Sequence, residues 1–370
     1  MQRELDERLE KLKEQHIPIY SFSRLETINR CLYESYLTYV KGDRGENNIY
    51  ALLGGKCHDT LEKIMNGEAT EADLKNTVQE ELDYLDIMGI EFPKDSKGGD
   101  SIREGWIANM THFCETYKAP NGKFETETLF LYQTPKGRWL QGYIDLTKIN
   151  NDGSISIYDY KTSSMYTAAG LVEHGRQLVT YALGKMQEGY TVKEIAWIML
   201  KYVDVKFTGK KTAKSKTETE IVKTIERRKI GKELSSYVES MLAAQGYDEV
   251  DIEYYLHNFE EQNRLEVLPK EVADRFTITP CVLKWKLDDK TLRECEEYID
   301  RTIDKWEKLD ANDESAYTPR SFTRINKFGK EVDDYFFCSN LCGHSKECPF
   351  LHEFFDKRAA ASNDEDDDLF

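Results

Sequence analysis

The chain has 370 residues, of which 39% are hydrophobic and 12% aromatic, a composition typical of a globular protein with a buried core. No apolar run approaches the roughly 18 residues that a membrane span needs. The charged stretch Met1–Gln15 is predicted to be helical and is not typical of a signal peptide. We therefore expect a cytosolic protein without a membrane partner.

The formal net charge of -17 disfavours nucleic-acid binding on average, because an acidic surface repels phosphates. The basic residues are nevertheless clustered, since residues 206–232 contain ten Lys or Arg and three Glu. Residues 359–370 form an acidic tail that we expect to be disordered, because it has almost nothing to bury. The charge pattern therefore leaves room for a local basic groove.

Helical periodicity dominates the first third of the chain and then gives way to short strands. The predicted helices are Ser23–Val40 with Ser23 as its N-cap, Ile49–Met65, 70–88, 101–118 and Ala168–Gln187. The predicted strands are Lys123–Gln133, Arg138–Ile149, Ser154–Lys161, Glu194–Val203 and Phe276–Trp285. Residues 206–232 are predicted to be partly loop and partly helix, and the remainder of 233–310 mostly helical.

A candidate catalytic hairpin lies among these strands. Strand side chains alternate, so Asp159 and Lys161 share one face with Ile155 and Ile157, and Asp145 lies on the preceding strand. Two close carboxylates repel each other, and a bound cation is the usual remedy. A lysine beside them can orient water or stabilise charge that builds on a phosphate. The alternative is a surface strand with solvated charges.

Two helices offer polar pairs at i, i+4 spacing, which puts both members of a pair on one face. His58 and Glu62 are the first pair, and an imidazole is a good third ligand for a manganese-like ion beside two carboxylates. Gln177 and Tyr181 are the second pair, and both can donate hydrogen bonds to phosphates or bases. The alternative for each pair is an ordinary polar helix surface.

The eight cysteines are unevenly distributed. In a cytosolic chain we do not expect them to form disulfides. Cys338, Cys342 and Cys348 crowd near the C-terminus, whereas Cys31 lies near the start. This distribution favours metal ligation over packing.

The order of these motifs resembles the RecB-like branch of the PD-(D/E)XK nucleases over residues 21–350. The motifs are His58, Gly142-x-Ile-Asp145, Asp159-Tyr-Lys161 and Gln177-x3-Tyr181, with Ser21-Phe22-Ser23-Arg24-Leu25 similar to the start of that domain. One cysteine before the motifs and three after them are similar to a subgroup with an iron–sulfur cluster. That subgroup includes AddB-type nucleases and CRISPR-associated RecB-like exonucleases.

The resemblance implies a role for each matching residue. His58, Asp145, Asp159 and the carbonyl of Tyr160 would hold Mg²⁺ or Mn²⁺, and Lys161 would be the catalytic lysine beside the two aspartates. The residues expected to contact DNA are Gln177, Tyr181, Ser21, Ser23 and Arg24. The residues expected to hold a [4Fe-4S] cluster are Cys31, Cys338, Cys342 and Cys348.

The cysteine spacing departs from the subgroup, which usually has Cys-x2-Cys, because Cys338-x3-Cys342 contains one extra residue. Zinc accepts four cysteines as readily as an iron–sulfur cluster does, and His344 can substitute for one of them. Zinc is therefore the alternative metal. Either metal would join Cys31 to the C-terminal region and so reduce the entropy of the unfolded chain.

The implied function is a metal-dependent DNA nuclease, an exonuclease of recombination, repair or replication in a bacterial or phage-infected cytosol. Lys210, Lys211, Lys214 and Lys216 would track phosphates, with a solvated loop as the alternative. The tail ending in Phe370 would dock on a replication or recombination protein, with a solubility tail as the alternative. The rival function is a DNA-binding or replisome scaffold without catalysis.

We expect an α/β fold in which helices flank a mixed central β-sheet, as in a restriction-endonuclease-like core. One nuclease domain would cover residues 1–358 and precede the tail. It would comprise a helical N-terminal region (residues 1–120), a catalytic core (residues 121–205), a basic and helical region (residues 206–330) and a cysteine cluster (residues 331–358) joined to Cys31.

Overall fold

The computed structural model describes the backbone of residues 2–95, 97–208 and 220–367, and the side chains of residues 6–95, 97–208 and 220–360. The α-helices are α1 Gln2–Glu14, α2 Phe22–Arg30, α3 Leu32–Tyr39, α4 Ile49–Met65, α5 Glu71–Ile87, α6 Ser101–Thr116, α7 Ala168–Gln187, α8 Ile230–Gln245, α9 Glu249–Gln262, α10 Lys270–Ala273, α11 Asp289–Glu307, α12 Phe336–Asn340 and α13 Pro349–Asp367. The strands are β1 Ile19–Ser21, β2 Lys123–Gln133, β3 Trp139–Ile149, β4 Ile155–Lys161, β5 Val192–Thr208, β6 Glu220–Glu226, β7 Phe276–Trp285, β8 Thr323–Ile325 and β9 Glu331–Asp333.

A seven-stranded mixed sheet, β1 to β7, organises the chain. β3 pairs antiparallel with β2 and β4 and parallel with β1, while β5 pairs parallel with β4 and antiparallel with β6 and β7. Helices cover both faces of the sheet, so the predicted α/β class with a mixed central sheet flanked by helices is confirmed. None of the helices in the described ranges is long and apolar enough to cross a membrane.

The strand β4 separates two apolar cores, because its side chains alternate between the faces of the sheet. Ile155 and Ile157 enter a core that α2, α7 and α11 cover. Tyr158 and Tyr160 enter a second core, which α4, α5 and α6 cover. The alternation of β4 therefore determines on which face of the sheet each polar side chain at its end lies.

The helix α7 lies unusually close to the sheet at Gly184. A Cβ atom there would lie 2.4 Å from Cδ2 of Phe130 on β2, a separation that no side chain tolerates. Glycine thus permits the close approach. It also brings Gln177 and Tyr181, on the preceding turns of the same helix, over the end of β4.

The predicted helix Ser23–Val40 is wrong in two respects. The helix breaks at Cys31, which has an extended backbone and whose Sγ accepts a hydrogen bond from the N–H of Glu34 at 3.5 Å. The N-cap of α2 is Ser21, whose Oγ accepts from the N–H of Arg24 at 3.2 Å. Ser21 therefore satisfies one of the free N–H groups at the helix start in place of Ser23.

The prediction for the basic region 206–232 is wrong for residues 206–208 and 220–226, whereas its helical part is confirmed at residues 227–232, where a short 3-10 helix leads into α8. β5 continues to Thr208, and Glu220–Glu226 forms β6, which pairs antiparallel with β5 from Tyr202 onward. Ile221, Lys223 and Ile225 share the less exposed face of this strand, but the surrounding lysines suggested a loop. Lys210, Lys211, Lys214 and Lys216 lie outside the described residues.

The C-terminal end differs from the predicted disordered tail as well. The helix α13 continues to Asp367, and a continuous helical backbone passes through the segment predicted to be disordered from Ala359. Phe370 lies outside the described residues.

The cysteine-rich C-terminal segment packs directly on the N-terminal helices. The carbonyl of Gly343 accepts a hydrogen bond from the N–H of Glu46 at 2.9 Å, and Asn48 donates to the carbonyl of Leu341 at 3.0 Å. A Cβ on Gly343 would lie 2.6 Å from the carbonyl oxygen of Glu46. The contact between these two segments therefore depends on a glycine.

We predict that Gly343→Ala lowers the free energy of unfolding by about 1–3 kcal/mol, because the added methyl group overpacks a backbone contact. Gly55→Ala is the matched control. Gly55 lies inside α4 with no atom within 4 Å of the added Cβ, so this change stabilises the helix by up to about 1 kcal/mol. Urea denaturation of both variants measures the difference, and equal stabilities would contradict the packing account.

Candidate active site

The hairpin β3–β4 and the helices α4 and α7 bring the predicted site residues together. Asp145 lies on β3, Asp159 and Lys161 lie at the end of β4, His58 lies on α4 and Gln177 lies on α7. The sheet register sets the two aspartates on neighbouring strands, since Leu146 pairs with Tyr158. The structure therefore brings these five side chains together, as the sequence predicted.

Asp145 is held from two sides. Its Oδ2 lies 3.2 Å from Nδ1 of His58 and accepts a hydrogen bond from the backbone N–H of Tyr160 at 2.9 Å. Burial and the negative charge of Asp159 raise the pKa of Asp145 to about 8. The charged form of Asp145 is therefore disfavoured, and a bound cation would stabilise it.

Asp159 is the most deeply buried acid of the site, with 2% of its surface exposed. Its Oδ2 forms an ion pair with Nζ of Lys161 at 2.5 Å. Burial alone would lower the pKa of Lys161, and the charge of Asp159 outweighs it and raises the pKa. Lys161 is therefore protonated at neutral pH and pairs with Asp159.

A short chain of hydrogen bonds links Lys161 to α7. Nζ of Lys161 donates to Oε1 of Gln177 at 3.3 Å, and Nε2 of Gln177 donates to the hydroxyl of Tyr181 at 2.8 Å. Tyr181 is 6% exposed and its ring packs on Phe130. Gln177 and Tyr181 thus orient the lysine, in addition to any contact with a substrate.

Glu127 is a site residue that the sequence reasoning missed. It lies on β2 opposite Asp145, between the pairs Thr126–Leu146 and Thr128–Ile144. Its φ of 44° is rare for a residue with a Cβ and costs roughly 1–3 kcal/mol. Burial, followed by the charges of Glu62, Asp59 and Asp159, raises its pKa. The signal available in the sequence was the position of Glu127 in the strand that pairs with the Asp145 strand.

These donors suit a divalent cation. Several carboxylates converge here, and burial lowers the pKa of His58 and so favours its neutral, ligating form. The backbone of Tyr160 lies beside these candidate ligands, since its N–H donates to Oδ2 of Asp145 at 2.9 Å. As the side chains stand, no three His, Cys, Asp or Glu within the described ranges are close enough together to hold a metal ion. The chemistry of these donors fits the ion, and binding would require the side chains to turn toward it.

The four predicted cluster cysteines, Cys31, Cys338, Cys342 and Cys348, border one cavity of about 20 Å³. Burial, with added effects from neighbouring thiols, raises the pKa of Cys338 to about 11 and that of Cys342 to about 12. A metal ion would offset this cost by binding the thiolates. His344 also borders the cavity, and its Nε2 lies 3.1 Å from Oγ1 of Thr38.

The predicted DNA contacts near the N-terminus have structural partners of their own. Ser21 caps α2, and its Oγ lies 2.9 Å from Oγ of Ser23. The guanidinium of Arg24 lies over the rings of Tyr20 and Tyr39 at 4.8 and 4.9 Å. Within the stretches of chain that the structure describes, these three residues make no hydrogen bond or ion pair with the aspartates or with Lys161.

Comparison with known proteins gives a family for this arrangement. A family model of the PD-(D/E)XK nuclease superfamily matches residues 19–255, a range that contains both aspartates, Lys161, His58 and Gln177. No curated protein matches the chain. The match covers more than half of the sequence and coincides with the hairpin site, and we conclude that the chain belongs to the PD-(D/E)XK nuclease superfamily.

Proposed function

We propose that this protein is a metal-dependent DNA nuclease whose active site is the hairpin of Asp145, Asp159 and Lys161. The observation that carries the proposal is the approach of two carboxylates, Asp145 and the buried Asp159, to one lysine, whose Nζ pairs with Oδ2 of Asp159 at 2.5 Å. Two close carboxylates repel each other, and because the one lysine pairs with Asp159, a bound cation would stabilise the charge of Asp145 as well. Membership of the superfamily supports the same reaction.

Asp145, Asp159, His58 and the carbonyl of Tyr160 would hold Mg²⁺ or Mn²⁺. When bound, the ion lowers the pKa of a water molecule and neutralises charge on the phosphate. Lys161 keeps its proton and stabilises negative charge on the attacked phosphate. Gln177 accepts a hydrogen bond from Lys161 and so holds the amine in place, while Tyr181 fixes Gln177.

A groove of about 880 Å³ supports a path for DNA beside this site. It begins at Thr162, directly after Lys161, and its walls carry Arg30, Lys201 and Arg228. Lys201 donates a hydrogen bond to Ser164 at 3.4 Å and forms no ion pair with a described residue. Arg30 pairs with Glu34 and Arg228 with Glu226, so Lys201 is the cation of these three that would contact a phosphate.

We further propose that the nuclease is an exonuclease of recombination, repair or replication, as the motif order suggests. The acidic tail that ends in Phe370 would dock on a protein partner of that process. Both proposals rest on the sequence pattern.

The four cysteines are proposed to hold a [4Fe-4S] cluster, with zinc as the alternative. Their convergence around one cavity supports a metal in either form. The cavity volume of about 20 Å³ is close to that of one small ion, so a four-iron cluster requires the thiols to move apart. Its role would be to fasten Cys31 to the C-terminal segment.

The rival function is a scaffold that binds DNA without cutting it. Such a scaffold has no need of a half-buried lysine beside the buried Asp159 and the half-buried Asp145, because these groups destabilise a fold unless they bind or react. The strained backbone of Glu127 in the same place supports the catalytic alternative.

We predict that Asp145→Asn and Asp159→Asn each reduce Mn²⁺-dependent DNA cleavage by about 1,000-fold and weaken Mn²⁺ binding, because they remove ligand charge. Lys161→Ala reduces cleavage by about 100- to 1,000-fold but leaves Mn²⁺ binding nearly intact. End-labelled single and double strands report cleavage, and isothermal titration reports Mn²⁺ binding.

Asp152→Asn serves as the control, because Asp152 is exposed in the β3–β4 turn and bonds to Ser154. It should cut at the parent rate. Cleavage by Asp159→Asn at the rate of Asp152→Asn would show that the active site lies elsewhere.

Lys201→Met should raise the dissociation constant for single-stranded DNA about three- to tenfold, because one phosphate contact is lost. The slope of log K against log salt should fall by about 0.7. Lys193→Met is the control, since Lys193 is exposed and pairs with Asp152 at 3.5 Å. Fluorescence anisotropy at several salt concentrations measures both quantities, and identical slopes for the two variants would remove Lys201 from the DNA path.

Protein purified without oxygen should contain iron and sulfide and absorb broadly in the visible range. Cys31→Ser should remove the metal and lower the melting temperature, because the link to the C-terminal segment is lost. Cys281→Ser, a buried cysteine of β7, should keep the metal. Zinc without iron would identify the alternative, and a metal-free parent protein would refute both.

A further inference from the structure

We propose that a groove on the other face of β4 binds a nucleoside monophosphate. This Arg227 groove lies between the end of α6, the strands β3, β4, β5 and β7, and the segment 263–266. Its volume is about 660 Å³, within the range of small-molecule sites. It is separate from the proposed active site, since Tyr158 and Tyr160 face it while Asp159 and Lys161 do not.

The floor of the groove holds a buried cation without a counter-ion. Arg227 is 7% exposed; its Nε donates to the carbonyl of Leu200 at 2.7 Å, and its Nη1 donates to Oγ1 of Thr116 at 3.0 Å. No described carboxylate pairs with it. The one acid that borders the groove, Glu266, is exposed and makes no ion pair with Arg227.

A buried arginine with neutral partners alone is unusual, because desolvating a charge is costly unless an opposite charge compensates. That cost is visible here as a lowered pKa of Arg227, to about 10, for which burial is the cause. The guanidinium is a planar donor suited to phosphate. An anion in the groove would supply the missing charge.

A second cation borders the same groove. Lys148 on β3 is half-buried, and its amine makes no hydrogen bond or ion pair with any residue that the structure describes. Lys118 and Arg264 also border the groove, but each pairs with an acid, Lys118 with Glu71 at 2.6 Å and Arg264 with Glu115. Two cations without acids in one groove therefore favour a ligand with more than one negative charge, such as a phosphate monoester.

The walls of the groove suit a planar, apolar body attached to that phosphate. Aromatic rings of Tyr117, Phe124, Tyr158 and Tyr160 line it, together with aliphatic side chains such as Ile198. Nucleobases stack on aromatic rings with little regard to their identity. A phosphate on a nucleoside combines both features, whereas inorganic phosphate uses the cations alone.

The test is isothermal titration of the full-length protein with dAMP in EDTA, where no divalent ion can recruit the nucleotide to the hairpin. We expect one dAMP per chain, with adenosine and inorganic phosphate each binding about tenfold weaker or less tightly still. Phosphate binding as tightly as dAMP would show an anion site only and would overturn the proposal. Absence of dAMP binding would do the same.

Two variants locate the ligand without depending on one side chain. Arg227→Gln should weaken dAMP binding about 10- to 100-fold by removing a charged partner, with its fold checked by circular dichroism and melting temperature. Val282→Trp should block binding by filling the groove from β7, whose Val282 lines it. If Arg227→Gln fails to fold, Lys148→Met takes its place.

Asp159→Asn and Lys284→Met are the controls. Asp159 faces the other side of the sheet, and Lys284 is an exposed lysine of β7 that pairs with Glu194 and does not line the groove. Both should bind dAMP as the parent does. Loss of binding in Asp159→Asn with retention in Val282→Trp would assign the nucleotide to the hairpin and refute the groove. Because these titrations contain no metal and measure no cleavage, their outcome is independent of the nuclease proposal.

Discussion

The repulsion between two buried carboxylates is the constraint on which the site depends. Asp145 and Asp159 sit on neighbouring strands, and burial together with their mutual charge raises the pKa of Asp145 to about 8. The surrounding groups reduce that cost in part: a backbone N–H and His58 contact Asp145, and Lys161 lies against Asp159. These groups do not offset the repulsion fully, since the pKa of Asp145 stays raised, and this remaining cost is the physical basis for proposing a cation there.

The alternation of β4 gives this hairpin two separate environments. Ile155 and Ile157 anchor one face under α7, and the acid and lysine continue along that face. Tyr158 and Tyr160 anchor the other face, where the Arg227 groove opens. One strand thus borders two sites, the Asp145–Asp159 pair and the Arg227 groove. In each site the charged groups lack enough opposite charge nearby, and the sheet separates the two sites.

Much of this arrangement follows from sequence pattern alone. The helix Ala168–Gln187 has the predicted bounds, because its apolar residues recur at helical spacing. The hairpin was predictable too, since alternation and turn residues define both strands. The break at Cys31 was not, because apolar residues continue across it. That break depends on distant chain, as the hydrogen bond from Tyr33 to the carbonyl of Thr318 at 3.2 Å illustrates.

Glu127 and β6 escaped prediction for related reasons. The left-handed backbone of Glu127 is imposed by its neighbours in the sheet, and no local rule assigns that conformation to a glutamate. The lysines and glutamates of β6 do not indicate a strand by themselves. Its conformation depends on its pairing with β5.

The most direct test of the proposed metal site is a crystal structure of the protein soaked in Mn²⁺, with anomalous scattering measured at the manganese edge. We expect a peak within bonding distance of the carboxylates of Asp145 and Asp159, with His58 and the carbonyl of Tyr160 turned toward it. A peak elsewhere, or crystals that bind no Mn²⁺ while the dissolved protein cuts DNA, would contradict the proposed site.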